Sequence, residues 1–273
     1  MRSTIHLVSA EDYPRLWPLM RRVLAANFRG SPFRKALATV ELDELLGMGR
    51  ELLAQQPRTR AELGPLLAKR WPGVDQASLT YAISYLTPII QVPPRGLWRQ
   101  SGAPRWTTAD TWLDAAVDEQ LRLEPVIRRY LAAFGPATVR EIQAWCGLTR
   151  LRPTIEGMGD ELHTFRDEDG NELFDVPAAP LPDPDTPAPP RFLPPFDNAT
   201  LSHADRRRII PSDQRDTVYL DRLMRTFLVD GFVAGTWYLE QNTPRIEPIK
   251  PPAKPDRVAL NDEAERLHAF LNS

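Results

Sequence analysis

"PRTRAEL" occupies residues 57–63 and "PATVREI" residues 136–142, so the pattern Pro-x-Thr-x-x-Glu-aliphatic occurs twice, 79 residues apart. Thr59 with Glu62, and Thr138 with Glu141, have the spacing of a capping box, in which hydroxyl and carboxylate satisfy orphan amides at a helix start. Each box predicts a short helix, over about 60–70 and 139–145. A second helix follows in each copy. Asp75 caps one running to Thr87, where Pro88 stops it. Thr149 caps the other, over 150–158, with Pro153 in its first turn.

A hairpin pattern comes next both times. "IIQVPPRGLWRQSGAPRWTT" (89–108) is apolar and aromatic, with turn signals at Pro93-Pro94 and Ser101-Gly102. "LHTFRDEDGNELFDVP" (162–177) places Asp169-Gly170 between two strand-like runs. Leading helices are available at 42–54 and 123–134. Helix, turn, helix, hairpin is the order of a winged helix with the hairpin as wing. The fold class expected is therefore α+β: tandem winged helix-turn-helix modules, then a C-terminal β-hairpin region and a closing helix. An unrelated α+β arrangement is the alternative.

The boundaries follow from this repeat. Residues 1–56 read as a remnant strand, at 4–8, and helices of a truncated first winged-helix unit, 57–122 as one winged helix, and 123–176 as another. Residues 177–195 contain nine prolines and predict an extended connector. Residues 196–273 form a β-rich region: a hairpin over 225–240 turning at Asp230-Gly231, a strand at "RIEPI", and a terminal helix. That helix aligns Val258, Leu260, Ala264, Leu267 and Leu271 near helical spacing.

At 273 residues, 42% of them hydrophobic, the chain can bury a substantial core. No stretch approaches the ~20 apolar residues of a membrane span, and no membrane partner is expected. Cys146 is the single cysteine, which excludes an internal disulfide and fits a reducing cytoplasm. The net charge of −2 hides an asymmetry. Residues 57–106 carry 7 Lys/Arg against 2 Asp/Glu, and 107–200 carry 8 against 17. Such a split marks a surface that could face phosphates, or two segments that attract each other.

The chemistry-bearing residues cluster in "RFLPPFDNATLSHADRRRII" (191–210). Ser202, His203 and Asp205 do not make a hydrolytic triad by proximity alone, because neighbours on an extended chain point to opposite sides. Arg206, Arg207 and Arg208 read either as a solvated loop start or as phosphate contacts. His6, His163, His203 and His268 are scattered, so no metal and no cofactor is expected. Trp98, Trp106, Trp112, Trp145 and Trp237 read as core or hairpin packing rather than base-stacking platforms. The outward face expected for 76–87 (Gln76, Thr80, Ser84, Thr87) has no Lys or Arg, which argues against reading guanines from this helix. Phosphate contacts are instead expected from Arg58, Arg60, Arg95, Arg99 and Arg105, and from Ser202, His203, Arg206 and Arg207.

The blocks "RSTIHLVSAEDY", "QVPPRGLW", "FGPATVREIQAWCGL", "PPRFLPPFDNATLSHADRRRII" and "VDGFVAGTW", in this order, resemble the bacterial winged-helix DNA-binding domain family. That family includes DNA glycosylases of the AlkZ type, which excise bulky or crosslinking alkyl adducts from bases. The resemblance implies duplex DNA as partner and three winged helices in tandem. It also implies a Gln-x-Gln or Gln-x-Asp pair for base excision, in a segment that precedes the "TIHLV" strand. This sequence opens at that strand and contains no Gln-x-Gln; Gln55 and Gln56 are adjacent, in another context. No catalytic residue carries over, and the expected function is DNA binding without excision by this chain. An active glycosylase and a protein-interaction module are the alternatives.

Overall fold

The computed structural model describes residues 5–118, 120–211 and 225–273. The chain divides into two compact units, Met1–Val126 with Cys146–Thr149, and Ile127–Trp145 with Arg150–Ser273.

In the first unit the order is α1 (Asp12–Arg29), α2 (Pro32–Ala36), α3 (Leu42–Gln55), β1 (Arg58–Thr59), α4 (Arg60–Ala68), α5 (Gln76–Leu86), β2 (Ile89–Val92), β3 (Arg105–Thr108) and α6 (Ala109–Leu113). The strands form an antiparallel sheet in the order β1-β3-β2. α3 buries Leu45, Gly49 and Leu53, spaced by four, so one helical stripe faces inward. A Cβ at Gly49 would collide with the Ile83 side chain, so the glycine lets α5 approach closely. The core gathers Phe28, Leu37, Leu45, Leu53, Leu63, Leu67, Leu79, Ile83 and Trp106. The last carbonyls of α3 lack helical donors. The sheet supplies them: Arg58 Nε donates to the Leu52 carbonyl at 3.0 Å and Thr107 Oγ1 to that of Leu53 at 3.0 Å.

The expected capping box is present in full at α4. The Glu62 amide donates to Thr59 Oγ1 at 3.2 Å and the Thr59 amide to Glu62 Oε2 at 2.7 Å. Asp75 caps α5 through the amides of Ala77 and Ser78. The outward face expected for that helix holds at Gln76, which is exposed, and fails at two of its four positions. Thr80 and Thr87 are buried, because α1 and α2 also pack on α5, while Ser84 and Tyr81 are half-buried. The strand expected at 4–8 is also absent over its described part, Thr4 lying outside the described residues. Residues 5–8 are irregular and lie in no strand; Leu7 is fully exposed.

The second repeat continues with α7 (Leu123–Phe134), α8 (Val139–Cys146), α9 (Arg152–Gly157) and the hairpin β4 (His163–Arg166) and β5 (Glu172–Asp175). An antiparallel bridge from Ala137 to Phe174 stands where β1 stands in the first copy. The capping box again closes, with the Glu141 amide on Thr138 Oγ1 at 3.2 Å and the Thr138 amide on Glu141 Oε2 at 2.8 Å. α9 starts two residues later than expected and Thr149 does not cap it. Gly147 (φ 78°) and Arg150 (φ 62°) turn the chain left-handed, and the Leu151 amide donates to Gln143 Oε1 at 2.9 Å instead. The turn at Asp169-Gly170 forms as expected, with Gly170 at φ 79° and Asp167 accepting from the Asn171 amide at 2.7 Å.

The remaining elements are β6 (Arg191–Phe192), α10 (Asn198–Leu201), β7 (Thr226–Val229), β8 (Phe232–Glu240), β9 (Thr243–Pro248) and α11 (Lys254–Asn272). The proline-rich connector does not stay free to its end, since β6 joins the sheet β6-β7-β8-β9. Phe192 draws it there, packing edge-on against Trp237 at 5.4 Å and near Phe227 at 6.0 Å. Gly235 pairs with both neighbours of β8; a Cβ there would strike the Glu247 carbonyl and the Phe227 ring. Leu260 and Leu267 of α11 join the Phe227–Trp237 cluster, whereas Val258, expected on the same face, is exposed.

Candidate nucleic-acid interface

In the first unit Arg58 closes β1, Arg60 opens α4, Arg95 and Arg99 lie in the 93–104 loop, and Arg105 begins β3. Three of these five are spent on the fold. Arg58 caps α3 as described. The Arg60 guanidinium lies 3.9 Å from the Tyr81 ring centroid, a cation–π contact. Arg105 pairs with Glu62 at 3.1 Å and donates to the Pro57 carbonyl at 2.6 Å. The Thr59 amide, assisted by Arg105, holds the Glu62 carboxyl below its ordinary range despite desolvation. Arg95 is different: Nη1 donates to the Gly102 carbonyl at 3.2 Å, and a guanidinium has four further N–H groups. Arg95 and Arg99 are exposed.

In the second unit the 196–211 segment is built from local caps and long-range ties. Asp197 accepts from the Ala199 amide at 2.8 Å and starts α10. Asp205 accepts from the Arg207 amide at 2.9 Å and starts the single turn Arg206–Arg208. The first tie is Tyr130, whose hydroxyl donates to the Ser202 carbonyl at 2.9 Å. The second is His203, whose Nδ1 lies 3.2 Å from Glu141 Oε1, both side chains being largely shielded (16% and 3% exposed). Glu141 thus serves its capping box and His203 together. Burial opposes its ionisation, but the His203 hydrogen bond, the Thr138 amide, the Arg208 guanidinium and the Thr138 hydroxyl outweigh it. Its carboxyl is lowered to about 2. Beyond the arginines, Ile209 and Ile210 are buried with Val233, whose amide donates to the Ile209 carbonyl at 2.8 Å.

This geometry corrects the expectations for the segment. Ser202 is 1% exposed, so its side chain cannot reach DNA or act as a nucleophile on a large substrate. The imidazole of His203 faces the Glu141 carboxylate, not the phosphate expected for it. Arg207 is held between Asp205 (2.6 Å) and Asp169 (2.5 Å), which raise its pKa above the usual guanidinium value. Two carboxylates on one guanidinium leave it little attraction for a phosphate. Arg206 is exposed and has no side-chain partner among the described residues. Of the tryptophans, Trp106 and Trp237 are buried and Trp145 packs on Tyr130 at 4.9 Å, as expected, but Trp98 and Trp112 are more than half exposed. Among the described residues no group of three His, Cys, Asp or Glu side chains could hold a metal ion. No described helix is long and apolar enough to cross a membrane.

The sequence matches the DNA glycosylase AlkZ-like family over residues 1–270. The chain belongs to the AlkZ-like DNA glycosylase family. Its fold is similar to that of the Streptomyces sahachiroi DNA glycosylase AlkZ, with a TM-score of 0.75 at 22% identity, covering 100% of this chain and 78% of that one. No curated protein matches it. Arg95, Arg99 and Arg206 are exposed, whereas Ser202 is buried and His203 is largely shielded. The sequence marks Glu141 only as a helix cap and places Tyr130 only within the helix at 123–134. Nothing in the sequence links them to 202–203, some 60 and 70 residues downstream; only the folded chain brings them together.

Proposed function

We propose that this AlkZ-like chain binds duplex DNA through winged helices in tandem, one over 57–122 and one over 123–176. Residues 1–56 precede the pair, 177–195 connect, and 196–273 form a further β-rich part. The observation that supports this most is the order helix, strand or bridge, helix, helix, hairpin occurring twice in a chain of a DNA glycosylase family. The covering of α5 by α1 and α2 favours phosphate contact over base reading, which suits recognition of DNA form rather than sequence. Arg95, Arg99 and Arg206 are the proposed phosphate contacts. Titrating labelled duplexes of unrelated sequence tests it. Arg95→Ala with Arg99→Ala should weaken binding about tenfold on every sequence alike, while Glu168→Gln, an exposed acidic change, should not weaken it. Equal affinity of the parent and the double-arginine variant would remove the wing from the interface.

We further propose that this chain binds without excising. It has no Gln-x-Gln, and its one Gln-x-Asp, Gln214 to Asp216, lies outside the described residues and far from the "TIHLV" segment that the resemblance has the pair precede. Family membership favours the second reading, an active glycosylase in repair of alkylated or crosslinked DNA. The two separate in one assay. Purified chain incubated with alkylated duplex should yield abasic sites no faster than a protein-free control; release above that control would establish the glycosylase. A chain that binds no duplex at any salt concentration would point to a protein-interaction module.

A further inference from the structure

The two hairpins of the repeat carry opposite charge. No Asp or Glu occurs from 93 to 109, in and around the loop between β2 and β3, whereas the turn between β4 and β5 contains Asp167, Glu168 and Asp169 in succession. A tip with three carboxylates is repelled by a phosphate backbone, so the second hairpin does not share the part proposed for the first. Its bonds show what it does instead. Asp167 is used inside the turn, where it accepts from the Asn171 amide at 2.7 Å and from the Asn171 side chain at 2.9 Å. Glu168 is exposed. Asp169 reaches out of the hairpin to Arg207, with Oδ2 at 2.5 Å from Nη1. Among the described residues this is the one ion pair or hydrogen bond that joins the tip 167–170 to anything beyond its own hairpin. The Arg207 guanidinium is thus divided between two carboxylates along separate edges. Asp205, two residues away, accepts from Nε at 2.7 Å and lies 2.6 Å from Nη2, which fixes the direction of the group. Asp169 covers Nη1, the end that Asp205 leaves open. Without Asp169, Nη1 would offer a second cationic group on the short turn that carries the exposed Arg206.

We infer that the β4–β5 hairpin is an autoinhibitory latch: Asp169 withholds Arg207 from duplex DNA and so limits how tightly the chain grips it. The inference rests on the duplex-DNA reading above and adds its regulation. The three side chains are about half exposed (Arg207 47%, Asp169 54%, Asp205 41%), and exposed pairs of this kind hold the fold together only weakly. The Asp169 contact therefore acts as a competitor for phosphate rather than as a support of the unit. Each further phosphate contact tightens binding on every sequence alike. A chain that recognises the form of a duplex is served by a device that keeps this uniform attraction low.

The test uses the full chain and a labelled duplex in anisotropy titrations over a salt series, with Asp169→Asn, Arg207→Ala and the double variant. Asp169→Asn should tighten binding about threefold and steepen the dependence of log affinity on log salt by about one unit. Arg207→Ala alone should leave both unchanged, because that cation is already withheld. In the double variant the gain should vanish. Glu168→Gln removes one charge from the same turn without touching Arg207 and should tighten binding by less than about 1.5-fold. All of these are surface residues, and matching circular dichroism checks that each variant is folded. Unchanged affinity in Asp169→Asn, a gain that survives Arg207→Ala, or an equal gain in Glu168→Gln would each overturn the latch while leaving DNA binding in place. Weaker binding by Arg207→Ala alone would do the same, since Arg207 would then meet DNA with Asp169 still present. A parent and an Asp169→Asn variant that both fail to bind duplex would overturn the duplex reading and the latch with it.

Discussion

Replacing Glu141 with Ala is expected to destabilise the second unit by about 3 kcal/mol, the cost of leaving one member of a buried, hydrogen-bonded pair without its partner. Three groups lose an acceptor together: the Thr138 amide, the Thr138 hydroxyl and His203. The effect also has a pH signature. The folded-state pKa of Glu141 is depressed to about 2 from an ordinary 4.5. Its ionisation therefore contributes stability that is complete above about pH 4.5 and is lost as pH falls towards 2. One pKa unit corresponds to about 1.4 kcal/mol, so the full difference is also about 3 kcal/mol. Glu141→Gln keeps the shape and cannot ionise. Urea unfolding of parent and Glu141→Gln should show the two far apart at pH 6 and converging near pH 2.5. Amide exchange in peptides from α8 and from 202–210 should accelerate together in the variant. Parallel stability curves for the two proteins between pH 6 and 2.5 would show that the carboxylate is not the group holding this segment.

That pair also shows what could be read from sequence and what could not. The capping boxes at Thr59 and Thr138, the cap at Asp75, the turn at Asp169-Gly170 and the helix Leu123–Phe134 are local devices, decided by residues within about four positions of one another. Each formed where the sequence placed it. The failures occur where distant parts of the chain decide. Thr149 lost α9 to a left-handed turn and to the Gln143 side chain, eight residues away from the amide it serves. Thr80 and Thr87 read as outward only because the sequence does not say that α1 and α2 also cover α5. Phe192 pulled two residues of a proline-rich connector into a sheet through ring contacts made 35 and 45 residues away. The site residues follow the same rule. A run of three arginines reads as three equal cations, but Asp205 and Asp169 neutralise Arg207 and the Glu141 carboxylate draws on Arg208. Only Arg206 is left with its charge uncommitted to the described fold.

The affinity of this chain for duplex DNA should fall about fortyfold between 50 and 200 mM salt. Neutralising a phosphate releases condensed counterions, so log affinity declines linearly with log salt at about 0.9 per contact. Seven arginines within the expected interface would give a slope near −6. Four of them have partners within the fold: Arg58 caps α3, Arg60 lies on Tyr81, Arg105 pairs with Glu62, and Arg207 bridges two aspartates. The exposed Arg95, Arg99 and Arg206 are the proposed phosphate contacts, which sets the slope near −3. Arg206→Ala should reduce it by about one unit, and the triple variant with Arg95→Ala and Arg99→Ala should bring it close to zero. His203→Ala should leave the slope unchanged, since its imidazole is turned to Glu141, and should act instead through the stability of the 202–210 segment. Fluorescence anisotropy over a salt series measures all of these. A parent slope near −6 would mean that Arg58, Arg60, Arg105 and Arg207 release their protein partners to meet DNA. A slope near −3 that survives loss of Arg206 would move the third contact away from "SHADRRRII", and the turn at Arg206–Arg208 would then serve only to seat Ile209 and Ile210 beneath Val233.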